Sequence, residues 1–149
     1  MKLLLGIGNP DRSDDGVGPQ VVGAATDLPA DVTTLVLDGE PARIVEAWRG
    51  AEIAVVVDAV RTGAPPGTLH RVSSQRLADD LPPAVSSHGA GLREAVALGR
   101  LLQRLPERLL IIGVEAGDVS HGSALTQAVA AAVPHAVAMA RDELRGESR

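Results

Sequence analysis

Three carboxylates lie within one glycine-rich turn near the amino terminus. The stretch "GIGNPDRSDDGVGP", residues 6–19, follows the apolar run "LLL" and contains Asp11, Asp14 and Asp15. A glycine-rich turn between a strand and a helix often binds a phosphate group. Negatively charged side chains at the same position would either fill the phosphate site or repel a phosphate from it. The dinucleotide-binding pattern also fails, because Asp11 stands where its third glycine belongs. The sequence therefore disfavours dinucleotide binding at this turn.

Two further candidate residues follow later in the chain. Asp58 comes directly after the apolar run "IAVVV", and His88 lies in the polar loop "SSHGAG" before a helical segment. Together with Asp15 they offer two carboxylates and one imidazole, a donor set that suits nickel, zinc or iron. The two acids could equally form an acid–base pair in which like charges raise one carboxyl pKa. The spacing of these residues leaves both possibilities open.

Each candidate also has a structural interpretation. Asp14 or Asp15 could be the N-cap of the following helix, with the other pointing into the ligand crevice. Asp58 could start a turn by bonding its own backbone, and His88 could be an ordinary loop or capping residue. Weaker cases for function belong to the remaining histidines, His70, His121 and His135.

The composition narrows the class of protein. The formal net charge is −5, and the 149 residues include one Trp and no Phe or Tyr, whereas nucleic-acid binding uses basic tracks and aromatic platforms. No Cys is present, which excludes disulfides, thiolate metal sites and Cys nucleophiles. The apolar stretches are too short for a signal peptide or a membrane span. We predict a cytoplasmic monomer that binds neither nucleic acid nor membrane.

Strand-like and helix-like segments alternate along the chain. The predicted strands are residues 2–7, 32–37, 52–60, 68–72 and 108–114, and the predicted helices are 18–28, 42–48, 91–105 and 125–144, with a kink or break at Pro134. Because parallel strands need crossover connections, we expect an α/β fold with three layers, α/β/α, of the phosphorylase/hydrolase-like kind. Its sheet should be open and mostly parallel, with about five strands. Residues 1–145 should form one domain and residues 146–149 a frayed tail.

The motifs resemble those of the hydrogenase maturation endopeptidases, which trim the C-terminal extension from the large subunit of nickel-iron hydrogenases. The matching stretches are "GIGNPDRSDDGVGP", "VVVDAV", "GAPPGTL" and "SSHGAGL", in the order typical of the family. The resemblance implies a peptidase with no permanently bound cofactor that acts on a nickel-loaded large-subunit precursor. It implies that Asp15, Asp58 and His88 contact the substrate's nickel and that Asp15 and Asp58 are the catalytic acids. Asp14 is then expected to cap the helix.

The sequence departs from the family at a few positions and leaves two other functions open. Asp15 stands where the family often has Glu, while Asp11 and Ser13 replace Leu or Gly, changes that could alter partner selectivity. Peptidyl-tRNA hydrolases also begin with a strand and a "GNP" turn, but "DRSDDGVGPQ" lacks the His that should follow it. A non-catalytic module that binds a metal or a precursor would have the same fold. Neither G-x-S-x-G nor H-E-x-x-H occurs, which disfavours a serine nucleophile and a resident hydrolytic zinc.

Overall fold

Strands and helices alternate through most of the chain. A computed structural model describes residues 1–73 and 91–146. The strands are β1 (Lys2–Ile7), β2 (Val32–Leu37), β3 (Ile53–Val60), β4 (Leu69–Ser73) and β5 (Arg108–Glu115). The helices are α1 (Val17–Ala24), α2 (Pro41–Trp48), α3 (Gly91–Leu101) and α4 (Gln127–Leu144), and a short 3-10 helix, Ser13–Gly16, precedes α1. The predicted tail falls mostly outside the described residues, as does His88.

The five strands form one sheet in the order β2-β1-β3-β5-β4. Neighbouring strands are parallel from β2 to β5, and β4 joins the edge antiparallel to β5. The predicted α/β class and mostly parallel sheet are therefore confirmed. The carboxyl ends of β1, β3 and β5 meet at one edge, the place where open α/β sheets bind their ligands.

Helices cover both faces of the sheet, as predicted. Because side chains alternate along a strand, each buried strand contributes to two cores. Helices α2 and α3 pack on one face, against residues that include Val56 and Ile111. Helices α1 and α4 pack on the other, against residues that include Val57 and Ile112. Asp58 and the other residues in step with Val56 and Ile111 therefore belong to the α2–α3 face.

Helix α3 is shorter than predicted, since it ends at Leu101 and not at residue 105. Gln103 adopts a left-handed conformation with φ of 55°. The backbone amides of Arg104 and Gln103 then donate to the carbonyls of Gly99 and Arg100, at 2.7 and 3.2 Å. This pair of bonds is the Schellman arrangement that closes a helix, and hydrophobic periodicity alone does not reveal it.

Helix α4 runs continuously through Pro134, so the predicted break does not occur. Proline removes one amide donor from the helix interior. Ala130, whose carbonyl loses that donor, and Pro134 are both exposed, so water can replace the missing bond. Across residues 1–73 and 91–146, no helix is both long enough and apolar enough to cross a bilayer.

Candidate active site

The turn after β1 is packed too closely for side chains at its glycines. A Cβ at Gly8 would overlap the backbone carbonyl of Asp15, and Gly8 has φ of 146°. A Cβ at Gly6 would lie 2.5 Å from the carbonyl oxygen of Gly18, on α1. These contacts fold the acidic turn back onto the end of β1 and fix Asp15 beside the carboxyl edge of the sheet.

Asp15 is a buried acid with an incomplete set of hydrogen bonds. Only 3% of the residue is exposed. Its Oδ2 atom accepts a bond from the backbone amide of Asn9 at 3.3 Å. Its Oδ1 atom is buried and has no hydrogen-bond partner among the residues that the structure describes. An ionised carboxylate in this state is costly unless a cation or a proton comes to it.

Asp58 is likewise a buried acid with an incomplete set of hydrogen bonds. The residue is 1% exposed and lies inside β3, two residues before its end at Val60, so it does not start a turn there. Its Oδ1 atom is buried and accepts no hydrogen bond from residues 1–73 or 91–146. Burial and, second, the negative charge of Asp15 raise the pKa of Asp58 from 3.8 to about 8, against a backbone hydrogen bond from Ala59 that lowers it.

The structure thus brings together two of the three predicted site residues. Asp15 and Asp58 interact electrostatically, and each has one buried oxygen without a partner among the described residues. Such a pair can bind a cation as carboxylates or hold and transfer a proton as an acid–base couple. No group of three or more metal-binding side chains occurs within the described part of the chain. The third predicted ligand, His88, lies outside it.

Asp14 does not cap α1, so that prediction is wrong. The N-cap position of α1 is Gly16, with no side-chain hydrogen bond. The carboxylate of Asp14 accepts instead from the backbone amides of Gly117, Asp118 and Thr126 at 2.7, 2.9 and 2.7 Å, and from the Thr126 hydroxyl at 2.8 Å. The reason is the 3-10 helix, which places Asp14 a turn before α1 and beside the loop between β5 and α4.

Backbone contacts hold the same loop, residues 116–126, against the acidic turn. The amide of Ser13 donates to the carbonyl of Gly122 at 2.7 Å, and its hydroxyl donates to the carbonyl of Ser120 at 2.9 Å. The amide of Gly122 in turn donates to the carbonyl of Asp11 at 3.0 Å. His121 is exposed in this loop. Asp11 and Ser13, singled out as departures from the family pattern, therefore position a surface loop beside the acids.

A further buried acid, Glu115, was missed from the sequence. It is the last residue of β5 and accepts bonds from the amide and hydroxyl of Thr62 at 2.8 and 2.6 Å, while Nε2 of His70 lies 3.0 Å from its Oε1. Burial acts to raise its pKa, but hydrogen bonds from Thr62, His70 and Gly63 outweigh it and lower the pKa. The available signal was an acid at the end of an apolar strand, as at Asp58. We call Thr62, His70 and Glu115 the Glu115 cluster.

The sequence matches a known protein family over most of its length. The family model HycI, described as hydrogenase maturation protease, matches residues 27–143. Among curated relatives, the hydrogenase expression/formation protein HupD of Thiocapsa roseopersicina is 33% identical over 147 residues, which cover 95% of this chain and 66% of the relative. HupD of Rhodobacter capsulatus is 32% identical over 152 residues, which cover 96% of this chain and 70% of the relative. The chain thus spans about two thirds of the length of these relatives.

Solved structures with the same fold carry related names. The hydrogenase maturating endopeptidase HybD from E. coli superposes with a TM-score of 0.84 at 23% identity, over 99% of this chain and 93% of that one. The [NiFe] hydrogenase maturation protease HybD from Thermococcus kodakarensis superposes with a TM-score of 0.75 at 25% identity, over 96% of this chain and 98% of the other. These superpositions place the five-stranded sheet and its helices in the fold of that group.

Proposed function

The chain belongs to the hydrogenase maturation protease family, and we propose that it removes the C-terminal extension of a nickel-iron hydrogenase large-subunit precursor after nickel insertion. The observation that carries this proposal is the pair of buried carboxylate oxygens, one on Asp15 and one on Asp58, that have no partner in the described structure. Their position at the carboxyl edge of the sheet is where a ligand of this fold binds. A cation delivered by the precursor would satisfy both oxygens at once.

The substrate's nickel would control the charge of this pair. Without a cation, the raised pKa of Asp58 favours a state in which the two acids do not both ionise near neutral pH, because burial and Asp15 disfavour the second charge. A divalent ion between them reverses that preference. Precursors that lack nickel would therefore meet a site in the wrong protonation state, which gives a physical basis for cleavage only after insertion.

Hydrolysis of the peptide bond requires an activated water and a proton for the leaving amine. With the cation present Asp58 would be a carboxylate, and a carboxylate beside the scissile bond can orient the attacking water, take up its proton and pass that proton to the leaving amine. We assign the orientation of the attacking water to one member of the pair and the nickel contact to Asp15, Asp58 and His88. The role of His88, the absence of a permanent cofactor, the cytoplasmic location and the monomeric state stay predictions.

The first experiment mixes the purified protein with large-subunit precursor, with and without nickel, and follows the precursor's mass. Nickel-dependent loss of a C-terminal peptide is the expected result. Asp58→Asn should abolish that loss, whereas Asp142→Asn, a matched change at an exposed position of α4, should not. An unchanged mass with several classes of nickel-loaded precursor would refute the proposal, and a stable complex without cleavage would point to a binding module.

A further inference from the structure

The Glu115 cluster lies on the same face of the sheet as Asp58, one strand farther on. Gly113 of β5 pairs with Asp58 on one side and with His70 on the other. Residues two apart in a strand have side chains on the same face of the sheet. Asp58 therefore shares a face with Val56, and His70 shares a face with Val72. Val56 and Val72 both belong to the core under α2 and α3. His70 therefore stands at the same edge and on the same face as the acid pair, with a glycine between them.

The cluster fixes the orientation of the His70 ring. Glu115 is ionised at neutral pH because its hydrogen bonds lower its pKa, and a carboxylate can only accept. Nε2 of His70 must therefore carry the proton that it donates to Glu115 at 3.0 Å. In the neutral ring the other nitrogen, Nδ1, is then an acceptor.

The acceptor at Nδ1 is not used inside the described structure. The side chain of Glu115 is only 2% exposed, but that of His70 is 25% exposed. Its single hydrogen bond among the described residues is the one to Glu115. Thr62 alone already supplies the carboxylate with two donors. Glu115 thus fixes the His70 ring, and Nδ1 has no hydrogen-bond partner among residues 1–73 and 91–146.

We propose that His70 is a substrate-binding residue: its Nδ1 accepts a hydrogen bond from an N–H group of the precursor polypeptide that lies across the strand ends at Asp58. This inference rests on the proposed function. Two strand spacings separate Asp58 from His70, about 10 Å between their Cα atoms. An extended chain advances about 3.3 Å per residue, so the precursor residue at His70 would be about three positions from the residue at Asp58.

Steady-state cleavage of nickel-loaded precursor tests this assignment. His70→Ala should raise KM about tenfold, the size of one lost hydrogen bond, and leave kcat within about twofold. His70→Asn should recover part of the KM, because an amide oxygen can replace Nδ1 as the acceptor while the bond to Glu115 is lost. His135→Ala is the matched control, since His135 is exposed on α4, on the opposite face of the sheet.

The results separate this inference from the proposed function. If the wild-type protein cleaves the precursor and His70→Ala keeps the wild-type KM, the substrate-binding role of His70 is wrong and the peptidase activity stands. A drop in kcat at unchanged KM, or His70→Asn no better than His70→Ala, would also overturn the role of Nδ1 as an acceptor. If the wild-type protein cleaves no precursor, the proposed function fails and the inference falls with it.

Discussion

Two adjacent acids in the turn after β1 are both buried, yet their surroundings are opposite. Asp14 accepts four hydrogen bonds from the loop between β5 and α4. Asp15 accepts one long bond and leaves Oδ1 without a partner. Because one carboxylate accepts four hydrogen bonds and its neighbour accepts one, we infer that the two acids have different roles. Asp14 holds the acidic turn against the loop of residues 116–126, whereas Asp15 has an oxygen that a ligand can bind.

The same contrast recurs on the α2–α3 face of the sheet. Glu115 ends β5 with three donors, and these lower its pKa despite burial. Asp58, near the end of the neighbouring strand, has an unpartnered oxygen, and its pKa is raised to about 8 by burial and by the charge of Asp15. We therefore divide the buried acids at this edge into satisfied acids, Asp14 and Glu115, and open acids, Asp15 and Asp58. Burial alone therefore does not single out a candidate functional acid, whereas burial without donors does.

The largest expected effect is loss of activity when an open acid is neutralised. Asp15→Asn and Asp58→Asn should each lower the rate of nickel-dependent cleavage at least about 100-fold, because each removes a charge that no other described group supplies. Neither change should lower the melting temperature, since a neutral amide adds no buried charge to the site. Cleavage rates and thermal unfolding measured on the same preparations check both points. Near-wild-type cleavage by either variant would mean that the open acids are not the catalytic ones.

Removal of a satisfied acid should lower the stability of the protein. Asp14→Ala leaves the amides of Gly117, Asp118 and Thr126 without their acceptor, so the free energy of unfolding should fall by about 2–4 kcal/mol. Urea denaturation measures this loss. Asp118→Ala is a control in the same loop, because among the described residues the side chain of Asp118 accepts hydrogen bonds from nearby Ser120 and from no distant segment. A stable Asp14→Ala protein that has lost only its activity would place Asp14 among the open acids.

The contributions of open and satisfied acids to the free energy of unfolding should also depend on pH in opposite directions. The pKa of Asp58 is 3.8 in an ordinary environment and about 8 in the folded protein, raised by burial and by Asp15. Between these values the folded state binds more protons than the unfolded state. Stability due to Asp58 therefore falls as pH rises through this window, by up to about 1.4 kcal/mol per pH unit.

Asp58→Asn removes this dependence, which gives the measurement. Urea denaturation of wild type and variant in metal-free buffer should show the variant gaining on the wild type as pH rises toward about 8, and gaining no more beyond it. The difference between the two proteins isolates Asp58 from every group that they share. A difference that does not change with pH would show that Asp58 ionises normally in the folded protein and is not an open acid.

The sequence predicts the elements of this fold well and their ends less well. The bounds of β2 were predicted without error, because "VTTLVL" lies between clear turn signals. Helix α3 was overextended because its end depends on the left-handed backbone of Gln103, and nothing in the residue type demands that conformation. Local pattern specifies the type of each element, whereas the backbone conformation of the residues that follow it, as at Gln103, specifies where it stops.

The candidate site shows a similar limit. Asp15 and Asp58 could be found from the sequence, because acids after apolar strands stand out and the motifs resemble a family. The role of Asp14 could not, since its donors lie more than 100 residues away along the chain. Glu115 also ends an apolar strand, but its partners could not be predicted, because Thr62 and His70 reach it only when β3, β4 and β5 assemble. Which acid is satisfied and which is open is a property of tertiary structure.

The smallest expected effect concerns a single bond within the Glu115 cluster. Thr62→Val removes the hydroxyl that donates to Glu115 at 2.6 Å and should lower the free energy of unfolding by about 1 kcal/mol at neutral pH, whereas Thr62→Ser should not. Because hydrogen bonds lower the pKa of Glu115, their contribution is present above its ordinary value of 4.5 and is lost as pH falls through the folded value. The difference between the valine and serine variants should therefore shrink in acid. A difference between the two variants that persists at acid pH would mean that the hydroxyl stabilises something other than an ionised Glu115. Glu115 would then no longer count as a satisfied acid.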